Sequence, residues 1–216
     1  MDGAMTGYNP ELAKRQLDQF VDMCNQLYIE AGNAVDLFNR ALVNNWTSPK
    51  AANMNGFLHE NTNYIGNAIN SMCNTVAMNA VTAIRYLAMK NGSDFQYGDG
   101  ISLGGGNYFG DHWVDLKESG VHGVGMNKNN VIYLILPDFR NSLNSVKEKL
   151  NNLPLDLAVY DPSGRMKEAY IQLITKCKAD INQCVLRVDS EINQILTQEV
   201  DNITIGVNQA VETMTA

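Results

Sequence analysis

Two long stretches of helical periodicity meet at Asn45-Trp46-Thr47-Ser48-Pro49, and this turn limits the possible folds more than any other segment. Before it, Leu12, Phe20, Met23, Leu27, Ala31, Ala34, Phe38 and Leu42 recur at helical spacing, with Asp18, Asp22, Glu30 and Asp36 between them. That pattern predicts one amphipathic helix. After it, Ala52, Phe57, Tyr64, Ala68, Met72, Val76, Ala80, Ala83 and Leu87 continue the spacing to Asn91-Gly92, where glycine can take the left-handed conformation that closes a helix. Ser48 can accept a hydrogen bond from an orphan amide of the following turn, and Pro49 fits the first helical position, where a missing N–H costs nothing. Helices joined by so short a link fold back and bury their apolar stripes against each other. Arms of roughly 36 and 43 residues, rising about 1.5 Å per residue, give a rod of about 55–65 Å.

Helical spacing returns after Pro137 through Phe139, Leu143, Val146, Leu150 and Leu153, and Pro154 kinks or ends that helix. Tyr160-Asp161-Pro162-Ser163-Gly164 predicts a second elbow. Beyond it, a stripe from Met166 through Tyr170, Cys177, Ile181, Val188, Ile192, Ile195, Ile203 and Val207 marks a helix of about 45–50 residues with a coiled-coil-like face. Pro10, Pro49, Pro137 and Pro162 stand at the four expected helix starts. The chain therefore reads as all-α, with a first helical hairpin over 8–92 and a second over 137–214.

Between them lies a different composition. Ten of the 17 glycines fall from Gly92 to Gly125, so 93–136 reads as an insert. His112-Trp113-Val114-Asp115-Leu116 and Val131-Ile132-Tyr133-Leu134-Ile135-Leu136 look like strands, and a small β-hairpin packed on the helices is expected, with Gly104-Gly105-Gly106 as its tip.

Composition narrows the function classes. A formal charge of −7 with Lys and Arg scattered disfavours nucleic acid and anionic membranes. The first residues carry no basic segment and no apolar run, so no ordinary secretory signal is read there. The run Val131–Leu136 is far too short to span a bilayer. Cys24 and Cys73 fall at similar distances on either side of the first elbow and either bridge or serve as small buried apolar residues; Cys177 and Cys184 are too far apart along one helix to bridge together.

Candidate chemistry is sparse, and no enzymatic activity and no cofactor is expected. His59 sits among polar residues of a predicted helix. Asp111, His112, Asp115 and His122 could be gathered by a hairpin as metal ligands, but short polar loops rich in glycine commonly show such residues. Gly104-Gly105-Gly106-Asn107 lacks the Lys-Ser/Thr of a phosphate loop, and no nucleophile-elbow pattern occurs. Glycosylation-type triplets at Asn45, Asn91 and Asn202 are expected by chance in a chain so rich in Asn.

Trp46-Thr47-Ser48 resembles the Trp-x-Gly turn of the WXG100 superfamily in its Trp-x-Ser variant, and Ala51-Ala52 followed by Phe57 resembles the small and aromatic residues after that turn. These are small helical-hairpin proteins exported by type VII secretion in Gram-positive bacteria and mycobacteria. The resemblance covers about 8–92 well and 137–213 in outline. It implies that two hairpins, normally contributed by two chains, pair here within one chain as an elongated four-helix bundle. Intramolecular pairing is favoured by effective concentration, although hairpins could also swap between copies. It further implies a type VII substrate or a chaperone-like partner for one, secreted by that route without a cleaved signal, or otherwise cytoplasmic. Its partner would be the secretion ATPase or a cognate secreted protein. The elbow residues Trp46, Thr47, Ser48 and Pro49, with Tyr160 and Gly164 at the second elbow, would form the docking surface. Three features depart from the family: Ser48 for glycine, no tryptophan at the second elbow, and no Tyr followed four residues later by Asp or Glu after a hairpin. Two other classes remain open on the residues alone, a pore-forming toxin whose insert enters membranes and a cytoplasmic coiled-coil adaptor.

Overall fold

The computed structural model describes residues 8–98, 100–106, 109, 112–119, 125–161 and 163–215. The fold is all-α, 81% helical. Helix α1 (Pro10–Asn45) starts where Asn9 Oδ1 accepts the amides of Glu11 and Leu12, both at 3.0 Å, with Pro10 at the first position. Its buried face runs Ala13, Leu17, Phe20, Cys24, Leu27, Ala31, Val35, Phe38 and Leu42, a stripe of three- and four-residue steps. Leu12, expected in that stripe, is instead exposed.

The chain reverses through a two-residue strand, β1 (Trp46–Thr47), and a short helix, α2 (Pro49–Asn53). After a break at Met54, helix α3 (Asn55–Lys90) follows. Ser48 Oγ accepts the Ala51 amide at 3.0 Å, so it caps α2. At the far end Gly92 has φ +68° and the Ser93 amide reaches back to the Ala88 carbonyl at 3.0 Å, a glycine-closed terminus. The buried face of α3 is rich in small side chains, Gly66, Ala68, Ala77, Ala80 and Ala88 among them, which lets neighbouring backbones come close.

The segment after α3 overturns the expected β-hairpin. His112–Leu116 is irregular, and the one ladder among the described residues joins β1 to β2 (Gly125–Met126), with Trp46 opposite Met126 and Thr47 opposite Gly125. The described residues between 93 and 119 run as a strap over α1 and α3, held largely by asparagine side chains. Asn39 Nδ2 donates to the Val114 carbonyl at 2.9 Å while its Oδ1 accepts the Val114 amide at 2.8 Å. Asn55 clasps Leu116 in the same two-way fashion, at 2.9 and 2.8 Å, and Asn74 clasps Ile101 at 2.7 and 2.9 Å. A carboxamide has the donor and acceptor of a peptide unit, so each asparagine replaces the neighbouring strand that the strap lacks. Phe109 anchors the middle. Its ring rests on Gly66, where an added Cβ would stand 2.5 Å from Phe109 Cγ. Its amide donates to Tyr28 Oη at 3.0 Å.

Val131–Leu136 is helical, contrary to its strand-like composition. Asn127 caps α4 (Lys128–Asn130), a π turn spans Val131–Ile135, and α5 (Leu136–Leu150) continues the rod. Val131 and Ile135 are buried while Tyr133 and Leu134 face solvent; that is a four-residue period, and burial of one helical face overrides the β propensity of the letters. The Leu136 amide bonds to the Val131 carbonyl, five residues back. This widened turn comes just before Pro137, which has no N–H and would crowd a carbonyl in a regular α-helix. Helix three thus begins about nine residues earlier than its proline suggests.

Phe38 stacks on Phe139 at 4.1 Å and Lys149 meets Glu30 at 2.7 Å, so α5 runs antiparallel to α1. A 3₁₀ turn, Asp156–Tyr160, leads to α6 (Arg165–Thr215), 51 residues long. Arg140 with Asp189 and Lys147 with Asn182 set α5 antiparallel to α6. These exposed pairs fix register more than stability. α1 packs against α3 and α5, and α6 packs against both of the latter. One shared core lies between the four, and each buried Leu, Ile or Phe contributes about 1.5–3 kcal/mol.

Candidate interaction surface

Trp46 follows α1 in extended conformation, its backbone committed to the ladder with Met126. The indole turns inward and is 1% exposed. Its Nε1–H donates to Glu199 Oε2 at 2.8 Å, and the Ser48 hydroxyl donates to Glu199 Oε1 at 2.6 Å. Glu199, on α6, is itself 9% exposed. One carboxylate therefore binds both donors of the Trp-x-Ser turn and fastens the elbow to the last helix. Hydrogen bonds to an ionised acceptor are about twice as strong as neutral ones, which offsets part of the cost of burying the charge.

The elbow residues separate by exposure. Trp46 and Ser48 are buried, Thr47 is half-buried in the ladder, and Pro49 is exposed. Pro49, Lys50, Met126, Glu199, Val200 and Ile203 line a cleft of about 550 Å³. The tryptophan itself is not a docking face; the cleft beside it is what the elbow offers.

Tyr160 and Gly164 stand elsewhere. The Tyr160 hydroxyl donates to Gln16 Oε1 at 2.7 Å, about 45 Å along α1 from Trp46. Tyr160 is buried, and burial, with Tyr8 nearby, raises its pKa. Gly164 is exposed with φ +75°. Asp161 Oδ1 accepts from Ser163 Oγ at 2.6 Å and Ser163 N at 2.9 Å, and Oδ2 from Met166 N at 2.8 Å. The Ser163 hydroxyl above all, then the two amides, holds this carboxyl below its usual range. The six sequence-predicted residues thus lie at opposite ends of the molecule, and the second elbow is a capped helix start.

Beyond Val200, α6 leaves the core, and residues 201–214 are exposed. Its buried stripe of Tyr170, Ile174, Cys177, Ile181, Val188, Ile192 and Leu196 continues in register as Ile203, Val207 and Met214. Ile203 is 55% exposed, Val207 56% and Met214 80%. By spacing alone Ile203 and Val207 belong to the apolar stripe of this helix. They are core-type residues without a core, because α1 and the elbow end one level below.

Burial pushes the Cys177 thiol up to about 12 and the Cys184 thiol up to about 11, which keeps both protonated and poorly nucleophilic. His59 meets Asn63 at 3.1 Å and lies beside Trp113. Among the described residues no three His, Cys, Asp or Glu are placed to hold a metal; Asp111 and His122 lie outside the described residues. Among the described residues no helix is long and apolar enough to cross a membrane.

Fold and surface together define an all-α protein with a fastened tryptophan elbow and a protruding apolar helix end. Comparison with protein-family models, with curated proteins and with solved structures finds no match.

Glu199 was not foreseen. Its signal was available: an acid at a seam position between Leu196 and Ile203, where the stripe demands an apolar residue. Asn39, fully buried on α1, carried the same kind of signal for the strap.

Proposed function

We propose that this chain is a non-enzymatic interaction protein of WXG100 type. Two tandem helical hairpins, α1 with α3 and α5 with α6, close within one chain into an elongated four-helix bundle. It acts by binding, as a type VII secretion substrate or a chaperone-like partner for one. What carries the proposal is the apolar stripe of Ile203, Val207 and Met214, which continues the buried face of α6 past the last helix able to cover it. A helix end whose apolar side chains stand exposed is marginal in water, and gains most by packing its apolar side on another helix. The cleft at Pro49, Met126 and Ile203 gives that partner a socket at the root of the stripe. Support for the type VII assignment comes from the Trp-x-Ser turn and the hairpin architecture.

The test uses Ile203→Gln with Val207→Gln, both more than half exposed in the free protein and adding no charge beside Glu199, so folding is untouched. In a Gram-positive host with an active type VII system, the variant keeps its circular dichroism and melting temperature but loses co-purification with its secretion partner and appearance in the culture medium. Unchanged association and export would overturn the assignment of this surface.

A further inference from the structure

Helices α1 and α3 each carry one cysteine on the face they bury against the other. Cys24 lies 22 residues before Trp46 and Cys73 lies 24 after Pro49, about 33 and 36 Å from the elbow at 1.5 Å per residue. They therefore stand at the same level of the antiparallel pair. Both are fully buried free thiols, and Cys73 is the neighbour that acts most strongly on the Cys24 thiol. Large residues would hold helix axes too far apart for a bridge, whose Cα atoms need about 4.4–6.8 Å; here Ala31 and Ala34 on α1 and Ala68, Ala77 and Ala80 on α3 permit close approach. Cys177 of α6 lies near enough to act electrostatically on Cys24, without being its hydrogen-bond partner.

We propose that Cys24 and Cys73 are a disulfide-forming pair that staples α1 to α3 when the chain folds in the presence of a low-molecular-weight disulfide. One cysteine thiolate attacks the reagent's S–S bond, giving a mixed disulfide and releasing one reagent thiol. The other thiolate then attacks the protein sulfur of that mixed disulfide, closing the Cys24–Cys73 bond and releasing the second reagent thiol. Two protein thiols are oxidised and one reagent disulfide is reduced to two thiols, which take up the two protons. In the folded chain the neighbouring Cys73 thiol and burial hold Cys24 protonated, so closure belongs to folding, before the core shuts. The bridge constrains an unfolded-state loop of about 48 residues spanning the elbow, which corresponds to a melting temperature higher by about 8–16 °C. This staple is independent of whether the chain is exported.

The experiment refolds the reduced, denatured full chain in a mixture of oxidised and reduced glutathione, alkylates free thiols, and maps non-reduced peptides by mass spectrometry. A Cys24–Cys73 peptide should dominate, with Cys177 and Cys184 alkylated, and reduction should lower the melting temperature. Cys177→Ala should leave the link intact. Full alkylation of Cys24 and Cys73, a link from either to Cys177, or a melting point indifferent to reduction would each overturn the proposal.

Discussion

Glu199→Gln is the sharpest probe of the elbow. The substitution keeps the shape of the side chain and removes its charge. In the native site both carboxylate oxygens accept, one from Trp46 Nε1 at 2.8 Å and one from Ser48 Oγ at 2.6 Å. Glutamine offers one acceptor and one NH₂, so whichever way it turns, a donor faces a donor at one position. The Ser48 hydroxyl can rotate away, whereas the indole N–H is fixed within a 1% exposed side chain. A hydrogen bond to a charged group is worth about 1.5–3 kcal/mol and a stranded buried donor costs about 1–3 kcal/mol. Relief of the carboxylate's desolvation returns part of this, leaving a net loss of about 1–3 kcal/mol. For a chain of this size that lowers the melting temperature by about 2–12 °C. Urea unfolding followed by tryptophan fluorescence in a Trp113→Phe background reads Trp46 alone. Followed by circular dichroism instead, the double mutant Trp46→Phe, Glu199→Gln should show a coupling of about 0.5–3 kcal/mol. Stability within 0.5 kcal/mol of the parent, with no coupling, would refute the idea that this carboxylate fastens the turn.

Other consequences can be measured in the same way. Gly66→Ala drives a methyl into the Phe109 ring, and should cost about 1–3 kcal/mol in urea unfolding. Asn39→Ala removes both clasping bonds to Val114 and should cost about 1–3 kcal/mol, with hydrogen exchange accelerating first at 113–116. The Asp161 carboxyl is held below its usual range, so its contribution is complete above its unfolded pKa of 3.8 and is lost as pH falls through the lower folded value. Exchange at the first turn of α6 should therefore rise on acidification from about pH 5 towards 2, and Asp161→Asn should flatten that dependence.

The long helices were legible in the letters because burial imposes one period on them: Phe20, Leu27, Phe38 and Leu42 repeat on α1, and Pro49 and Gly92 bound the returning arm. The insert was not legible, since its order comes from tertiary partners. Val131 to Leu136 has the composition of a strand, yet Asn127 starts a helix before it and the core accepts Val131, Ile135 and Leu136 while Tyr133 and Leu134 face solvent. The strap owes its course to Asn39, Asn55 and Asn74, which on a helical wheel look like ordinary polar residues. At the elbow, tryptophan and serine were read as a surface because a family pattern marks them. Only the fold shows that Glu199 draws both inward and that the exposed apolar residues lie on the end of α6. Periodicity continues through Ile203 and Val207 whether or not a neighbour exists to bury them.

The most direct measurement is native-state hydrogen exchange along α6 in the isolated protein. Amides of 170–196, buried against α3 and α5, should exchange only through global unfolding, whereas 203–214 should exchange orders of magnitude faster and slow down only when a partner covers Ile203 and Val207. Equal protection along the whole helix in the free protein would contradict the claim that residues 201–214 carry an uncovered helical face.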